Sequence, residues 1–189
     1  MTVRLATRAD VPALQELIEL SARGLSVGYY TPAQIDAAVQ HVFGVDTQLI
    51  ADGSYYVISD ATGPVATGGW SARRTLYGGD QMKSADDPML DPATQPARIR
   101  AFFVHPHWVR RGLAKQIYCA CEQAAYAAGF RKFELMATLP GEPLYRALGF
   151  AAVERMASTL PGGVVLPFVR MVRNIDPPFT SEFAAPAGA

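Results

Sequence analysis

Apolar residues recur at two spacings along this chain, one helical and one of strand type, and the points where they switch mark its elements. A short extended segment, Val3 to Ala6, precedes Val11, Leu14, Leu17, Ile18 and Ala22, which share one face of a helix. Asp10 is the expected N-cap of that helix, and Pro12 falls in its first turn, where a missing N–H is tolerated. Thr31-Pro32 predicts a second helix start, a cap residue followed by proline at the first helical position. Its apolar stripe is Ile35, Ala38, Val39, Val42 and Phe43. "SYYVISD" and "PVATGGW", joined by a short glycine-bearing turn, predict an antiparallel hairpin. From Ser71 to Ala97 the chain is rich in Gly, Asp and Pro and has little period, so it reads as a long loop of the kind that is usually functional or disordered.

The second half is more regular. "RIRAFFV", residues 98–104, predicts an apolar strand, and a helix runs from Leu113 to about Ala128, closed by Gly129. "RKFELMAT" is a further strand, and "PLYRALGF" a short helix closed by Gly149. "AAVERMAST" and "VVLPFVRMVR" form a second hairpin around Pro161-Gly162-Gly163. Pro167 cannot donate to a ladder, which predicts an edge or a bulge there. Residues 176–189 look like a flexible tail without a fold of its own. The order β-α-α-β-β-loop-β-α-β-α-β-β predicts one α/β domain over residues 1–175, with helices packed on the faces of a mixed sheet.

Composition narrows the function classes. A chain of 189 residues suffices for one well-cored domain and is short for two. Its 17 basic and 17 acidic residues cancel, so no bulk field draws it to nucleic acid or a membrane surface. No apolar run reaches the length of a membrane span, and "MTVRLATRAD" lacks a signal core, so a cytoplasmic protein is expected. Cys119 and Cys121 sit two apart on a helix and point in different directions. They read as core-filling residues of a reduced protein, and with no ligand cluster beside them no metal is expected.

Most of the candidate chemistry sits in "VHPHWVRRGLAKQ", residues 104–116, at a strand-to-helix corner. The first N–H groups of a helix lack intrahelical partners and lie at the positive end of its dipole, so this corner suits an anion. Gly112 lets a phosphate approach the backbone, and Ala114 keeps the next turn of the wall low. Arg110, Arg111 and Lys115 add positive charge. The spacing is neither a Walker loop nor a G-x-G-x-x-G fingerprint. His105 and His107 read as turn structure, and Trp70 and Trp108 as packing residues.

"VHPHWVRRGLA" resembles the acyl-CoA pyrophosphate loop, Q/R-x-x-G-x-G/A, of the GNAT superfamily of acetyl-CoA-dependent N-acetyltransferases. "PLYRALGF" resembles that superfamily's later motif, a Tyr followed by a helix turn and Gly-Phe, and the two occur in family order. The resemblance covers Val3 to Arg173 and implies a GNAT-like fold that uses acetyl-CoA as acyl donor. It implies that the backbone of Phe102, Phe103 and Val104 pairs with the pantetheine arm. Val109, Arg110, Arg111, Gly112, Leu113, Ala114 and Lys115 would wrap the pyrophosphate, chiefly through N–H groups. Thr138 would face the cofactor, a backbone N–H near Val104 would polarise the thioester carbonyl, and Tyr145 would protonate the departing thiolate.

The sequence departs from the family pattern in two places. Val109 replaces the motif's Gln or Arg, which removes a side-chain donor and leaves the backbone donors intact. The strand at 98–104 carries Arg98 and Arg100 where many relatives place a glutamate base, so the base is unassigned, with Glu134 and Glu142 as candidates. The acceptor is expected to be a small-molecule or peptide amine, in a pocket shaped by the N-terminal helices and the long loop. Tyr29, Tyr30, Tyr55 and Tyr56 are candidate lining residues, and Asp80, Asp86 and Asp87 raise the option of a cationic acceptor. A non-catalytic CoA-binding module, a longer acyl chain and a homodimer all stay open.

Overall fold

The computed structural model describes residues 1–83 and 87–177. In chain order it contains β1 (Arg4–Leu5), α1 (Val11–Leu25), α2 (Pro32–His41), α3 (Thr47–Ala51), β2 (Tyr55–Ser59) and β3 (Pro64–Ser71). Then come β4 (Ala97–Val104), α4 (Leu113–Ala127), β5 (Lys132–Thr138), α5 (Glu142–Ala147), β6 (Ala151–Thr159) and β7 (Val165–Asn174). The strands form one mixed sheet in the order β1-β2-β3-β4-β5-β7-β6. Every neighbouring pair is antiparallel except β4–β5. Helices cover both faces, each over its own core. One core holds Ile117, Tyr118 and Cys121 of α4 against Phe133 and Leu135, and the other holds Leu14, Ile18, Ala38 and Phe168.

Local chemistry explains most of the element starts. At α2 the Thr31 hydroxyl accepts from the Gln34 N–H (3.3 Å), and the Gln34 side chain returns to the Thr31 N–H (2.9 Å), a reciprocal capping box. The predicted helix stripe is buried apart from Val39, which is half-buried. Cys121 is buried and Cys119 exposed, as their helical separation requires.

Three expectations need correction. Asp10 does sit at the N-cap position of α1 but gives that helix no side-chain hydrogen bond. Its carboxylate turns back to the Thr7 N–H (2.7 Å) and to Arg4 (2.6 Å), and Arg4 holds it well below the usual carboxylate range. It therefore closes the turn that precedes the helix. The sequence reading also lacked α3, whose start is fixed by Asp46 accepting from the Gln48 and Leu49 N–H groups (3.1 and 3.3 Å). Five residues are too few to display a period.

Pro167 lies on neither an edge nor a bulge, because β7 is interior, between β5 and β6. Its partner on β6 is Ala157, while pairing with β5 begins one residue later, at Phe168–Thr138. The Pro167 carbonyl instead accepts from the Tyr30 hydroxyl (2.8 Å), which in turn accepts from the Leu139 N–H (2.9 Å). In an antiparallel strand a residue's N–H and C=O point to the same side, so the missing donor falls past the end of β5. Burial pushes the Tyr30 phenol up to about 12, and it remains a donor at this junction. Residues 178–189 of the expected tail, and Asp86, lie outside the described residues.

Candidate active site

The parallel ladder between β4 and β5 is two pairs long, Ala97–Phe133 and Arg98–Glu134. Beyond it the residues of both strands line one cleft of about 640 Å³, with Ile99 to Val104 on one side and Met136 and Thr138 on the other. A bulge shapes its β4 wall. Ala101 and Phe102 together face the single residue Gly68 of β3, and Ala101 adopts a left-handed φ of 54°. Gly68 is needed there, since a Cβ would fall 2.6 Å from the Phe102 ring. Side chains leave β4 on both faces: Phe102 and Val104 pack with the α4 core, Ala101 and Phe103 with the α1–α2 core. The cleft thus reaches through the sheet and has two halves.

The α4 half gathers most residues that the sequence singled out. Val109, Arg110, Gly112, Leu113, Ala114 and Lys115 line it, as do Phe102, Val104, Thr138 and Tyr145. Arg110 and Gly112 both take left-handed backbone, with φ of 63° and 75°. No atom comes within 4 Å of a Cβ placed on Gly112, so the glycine is required by its conformation and leaves the approach to the backbone clear. The first backbone bond into α4 runs from the Gln116 N–H to the Gly112 carbonyl (3.0 Å). The N–H groups of residues 112 to 115 have no partner among the described residues. Arg111 does not line the cleft; its guanidinium stacks 4.5 Å above the Trp108 ring.

Tyr145 is 9 % exposed, with its ring edge-on to Phe102 and Phe150 at 6.3 and 5.7 Å. Burial pushes its phenol well above the ordinary value, so it carries its proton at neutral pH and can donate it. The Thr138 hydroxyl accepts from the Gly141 N–H (3.2 Å), holding the turn into α5. The Val104 N–H, expected to polarise a carbonyl, is already donated to the Ser21 hydroxyl of α1 (3.2 Å). Between Arg98 and Val104, the Ala101–Phe102 bulge is the part of β4 with no residue-for-residue partner on β3.

Neither candidate base reaches the cleft. Glu134 is held by Arg98 and by Arg170 (2.6 Å), and Glu142 pairs with Arg146 (2.7 Å). Among the described residues no Asp, Glu or His lines the cleft at all. The His105 ring accepts from the His107 N–H (3.1 Å) and serves the turn. Of the four tyrosines proposed for an acceptor pocket only Tyr29 lines the cleft, while Trp108 packs against the α4 core, as expected, and also borders the cleft. Trp70 packs edge-on against Phe130 as expected.

The α1–α2 half consists mostly of residues the sequence did not single out. Arg100, 3 % exposed, occupies the strand position where a base was sought. Its guanidinium donates to Asp46 (2.8 Å) and to the carbonyls of Thr75 and Gly78 (2.8 and 2.7 Å). Burial pulls this guanidinium down from its ordinary value and Asp46 opposes the pull. Lys83 also binds Asp46. The long loop is thereby tied to β4 and to the start of α3. Gly79 donates to the Val42 carbonyl (2.9 Å), and a Cβ on it would lie 2.9 Å from the Gly44 backbone. Gly78-Gly79, in a stretch without period, was the one sequence signal for this close approach.

Residues 91–171 match a family model described as an acetyltransferase (GNAT) domain. No curated protein matches the chain in sequence. Among solved structures, a GCN5-related N-acetyltransferase of Rhodopseudomonas palustris superposes with a TM-score of 0.66 at 18 % identity, over 92 % of this chain and 94 % of that one. A phosphinothricin acetyltransferase of Sinorhizobium meliloti, in complex with AcCoA, gives 0.60 at 20 % identity over 97 % and 95 %. PaiA N-acetyltransferase of Thermoplasma acidophilum, in complex with coenzyme A, gives 0.60 at 10 % identity over 92 % and 98 %. The similar structures share the fold, and residues 91–171, from the approach to β4 into β7, match the acetyltransferase (GNAT) domain.

Proposed function

We propose that residues 1–175 act as one domain that transfers the acetyl group of acetyl-CoA directly to an amine. One observation carries this reading. The unpartnered N–H groups at the start of α4, the bulged wall of β4 and the protonated Tyr145 all border the same cleft. The N–H groups of residues 112 to 115, with Arg110 and Lys115, form a donor-rich end suited to a pyrophosphate. The apolar wall of Phe102, Val104 and Leu144 suits the pantetheine arm, and acetyl-CoA supplies the activated thioester.

The chain's own groups then have separate tasks. The bulge at Ala101–Phe102 frees backbone from the β3 ladder, where it can donate to a carbonyl oxygen, the task first expected of Val104. The amine nitrogen attacks the carbonyl carbon, the C–N bond forms and the C–S bond breaks. Tyr145 gives its proton to the departing sulfur, and the proton lost by the amine leaves to water. Both cysteines are free thiols, which suits a reducing cytoplasm. Among the described residues no helix is long and apolar enough to cross a membrane. The experiment is release of free CoA thiol from acetyl-CoA with and without added primary amines. Amine-dependent release is expected, and tight acetyl-CoA binding without any release would leave only a binding module.

A further inference from the structure

Resting on that reading, we infer that the acceptor is a primary amine borne on an aromatic or bulky apolar body, with no second charge. The α1–α2 half of the cleft is walled by two aromatic pairs. Phe43 meets Phe103 edge-on at 5.8 Å, and Tyr77 meets Phe168 at 5.3 Å. The Tyr77 hydroxyl is engaged with Ser158 (2.6 Å), so the residue offers the cleft its ring. Leu25 and Leu76 complete this wall. Such a surface recognises an apolar body by shape and burial.

Charge on the wall points the same way. Among the described residues the ionisable groups lining the cleft are Tyr29, Tyr77, Arg100, Arg110, Lys115 and Tyr145, with no Asp or Glu. A polyamine or a lysine-rich peptide would have to bury its second ammonium without a counter-ion. Of the acids that suggested a cationic acceptor, Asp80 and Asp87 are occupied elsewhere. Asp80 accepts from the Thr47 N–H (3.0 Å) and lies beside Lys83, and Asp87 accepts from the Thr75 N–H (2.8 Å). Arg100, the cationic group of this half, is matched by Asp46 and two carbonyls and offers little to an anionic substituent. The same wall answers the missing base, because an apolar surround disfavours the ammonium form of a bound amine. An amine with an apolar body can shed its proton to water as it enters.

The test uses the full chain, saturating acetyl-CoA and thiol release with three amines: 2-phenylethylamine, 1,5-diaminopentane and phenylalanine. The expected kcat/KM for 2-phenylethylamine exceeds those for the other two by about 10²-fold, the discrimination expected when a charge is left unpaired in an apolar pocket. Tyr29→Asp, at a half-exposed position on the rim, should narrow the gap to the diamine by about threefold. Equal or better turnover of the diamine or the amino acid by the unaltered protein overturns the inference while leaving the acetyltransferase reading intact. Acetyl-CoA binding with no thiol release from any amine overturns the reading itself.

Discussion

The two halves of the cleft are built by opposite means. The α4 half comes largely from one contiguous run, residues 109–115, and works through backbone donors that a glycine and a left-handed arginine hold in place. The α1–α2 half is assembled from α1, the end of α2, the long loop, β4 and β7, and works through side-chain surface. A pyrophosphate has fixed chemistry that a backbone turn can meet. An acceptor is recognised by its shape, which only a wall gathered from distant segments can match. The halves should therefore fail differently when perturbed.

The largest effect is expected at Arg100. Arg100→Met removes the buried cation that joins Asp46 to the Thr75 and Gly78 carbonyls. It should destabilise the protein by about 3 kcal/mol, as for other broken buried pairs, and loosen the acceptor wall. A melt should show the loss, and KM for the amine should rise while calorimetric affinity for acetyl-CoA holds in the folded fraction. Equal damage to both ligands would mean that the halves are not separable.

Tyr145→Phe comes next. It keeps the ring against Phe102 and Phe150 and removes the proton donor, so kcat should fall by about 10²-fold with KM for acetyl-CoA nearly unchanged. Because burial raises this phenol's pKa, the acid form persists as pH rises. The unaltered enzyme should then show no descending limb in kcat up to about pH 10, the ordinary tyrosine value. The stability linked to its neutral form should likewise be complete below about pH 10 and be lost only above it. Full turnover in the Phe variant, with chemistry rate-limiting, would remove Tyr145 from the mechanism.

Gly112→Glu adds negative charge and a side chain to a position with φ of 75°. Acetyl-CoA affinity should drop about tenfold, combining dipole and backbone effects, at a cost of about 1 kcal/mol in stability. The smallest effect is expected from Arg111→Ala, since Arg111 stacks on Trp108 and stays out of the cleft. Its affinity for acetyl-CoA should change less than threefold, roughly the size of an exposed charge contribution. Raising salt should weaken binding to a greater degree, through screening at Arg110 and Lys115 over roughly 10 Å at 0.1 M.

The unequal construction also explains what could be seen in the sequence. Residues 109–115 and the helix they open are adjacent in the chain, so the period of β4, α4 and β5 placed Gly112 and its basic neighbours at a strand-to-helix corner, and the family resemblance singled out the whole run. Tyr145 was visible through the resemblance of "PLYRALGF" to the family motif, since its local setting on a short amphipathic helix suits a core residue equally well. Tyr30 bridging Pro167 and Leu139 was not visible, because its partners lie more than a hundred residues away. Nor were Arg100 and Asp46, 54 positions apart and joined only once the loop folds over β4. The bulge at Ala101 interrupts a strand whose composition shows no irregularity, and only its partner Gly68 hints at it.

The central claim, that acyl donor and acceptor occupy opposite halves of one cleft, is tested most directly by amide hydrogen exchange resolved to short peptides. Acetyl-CoA alone should slow exchange at residues 110–115, where the N–H groups of 112 to 115 lack partners among the described residues, and leave residues 76–79 and 25–29 nearly unchanged. Adding 2-phenylethylamine with CoA, so that no transfer occurs, should then slow exchange at residues 76–79 and around Tyr29. Protection of residues 76–79 by acetyl-CoA alone, or none at 110–115, would contradict the division of the cleft.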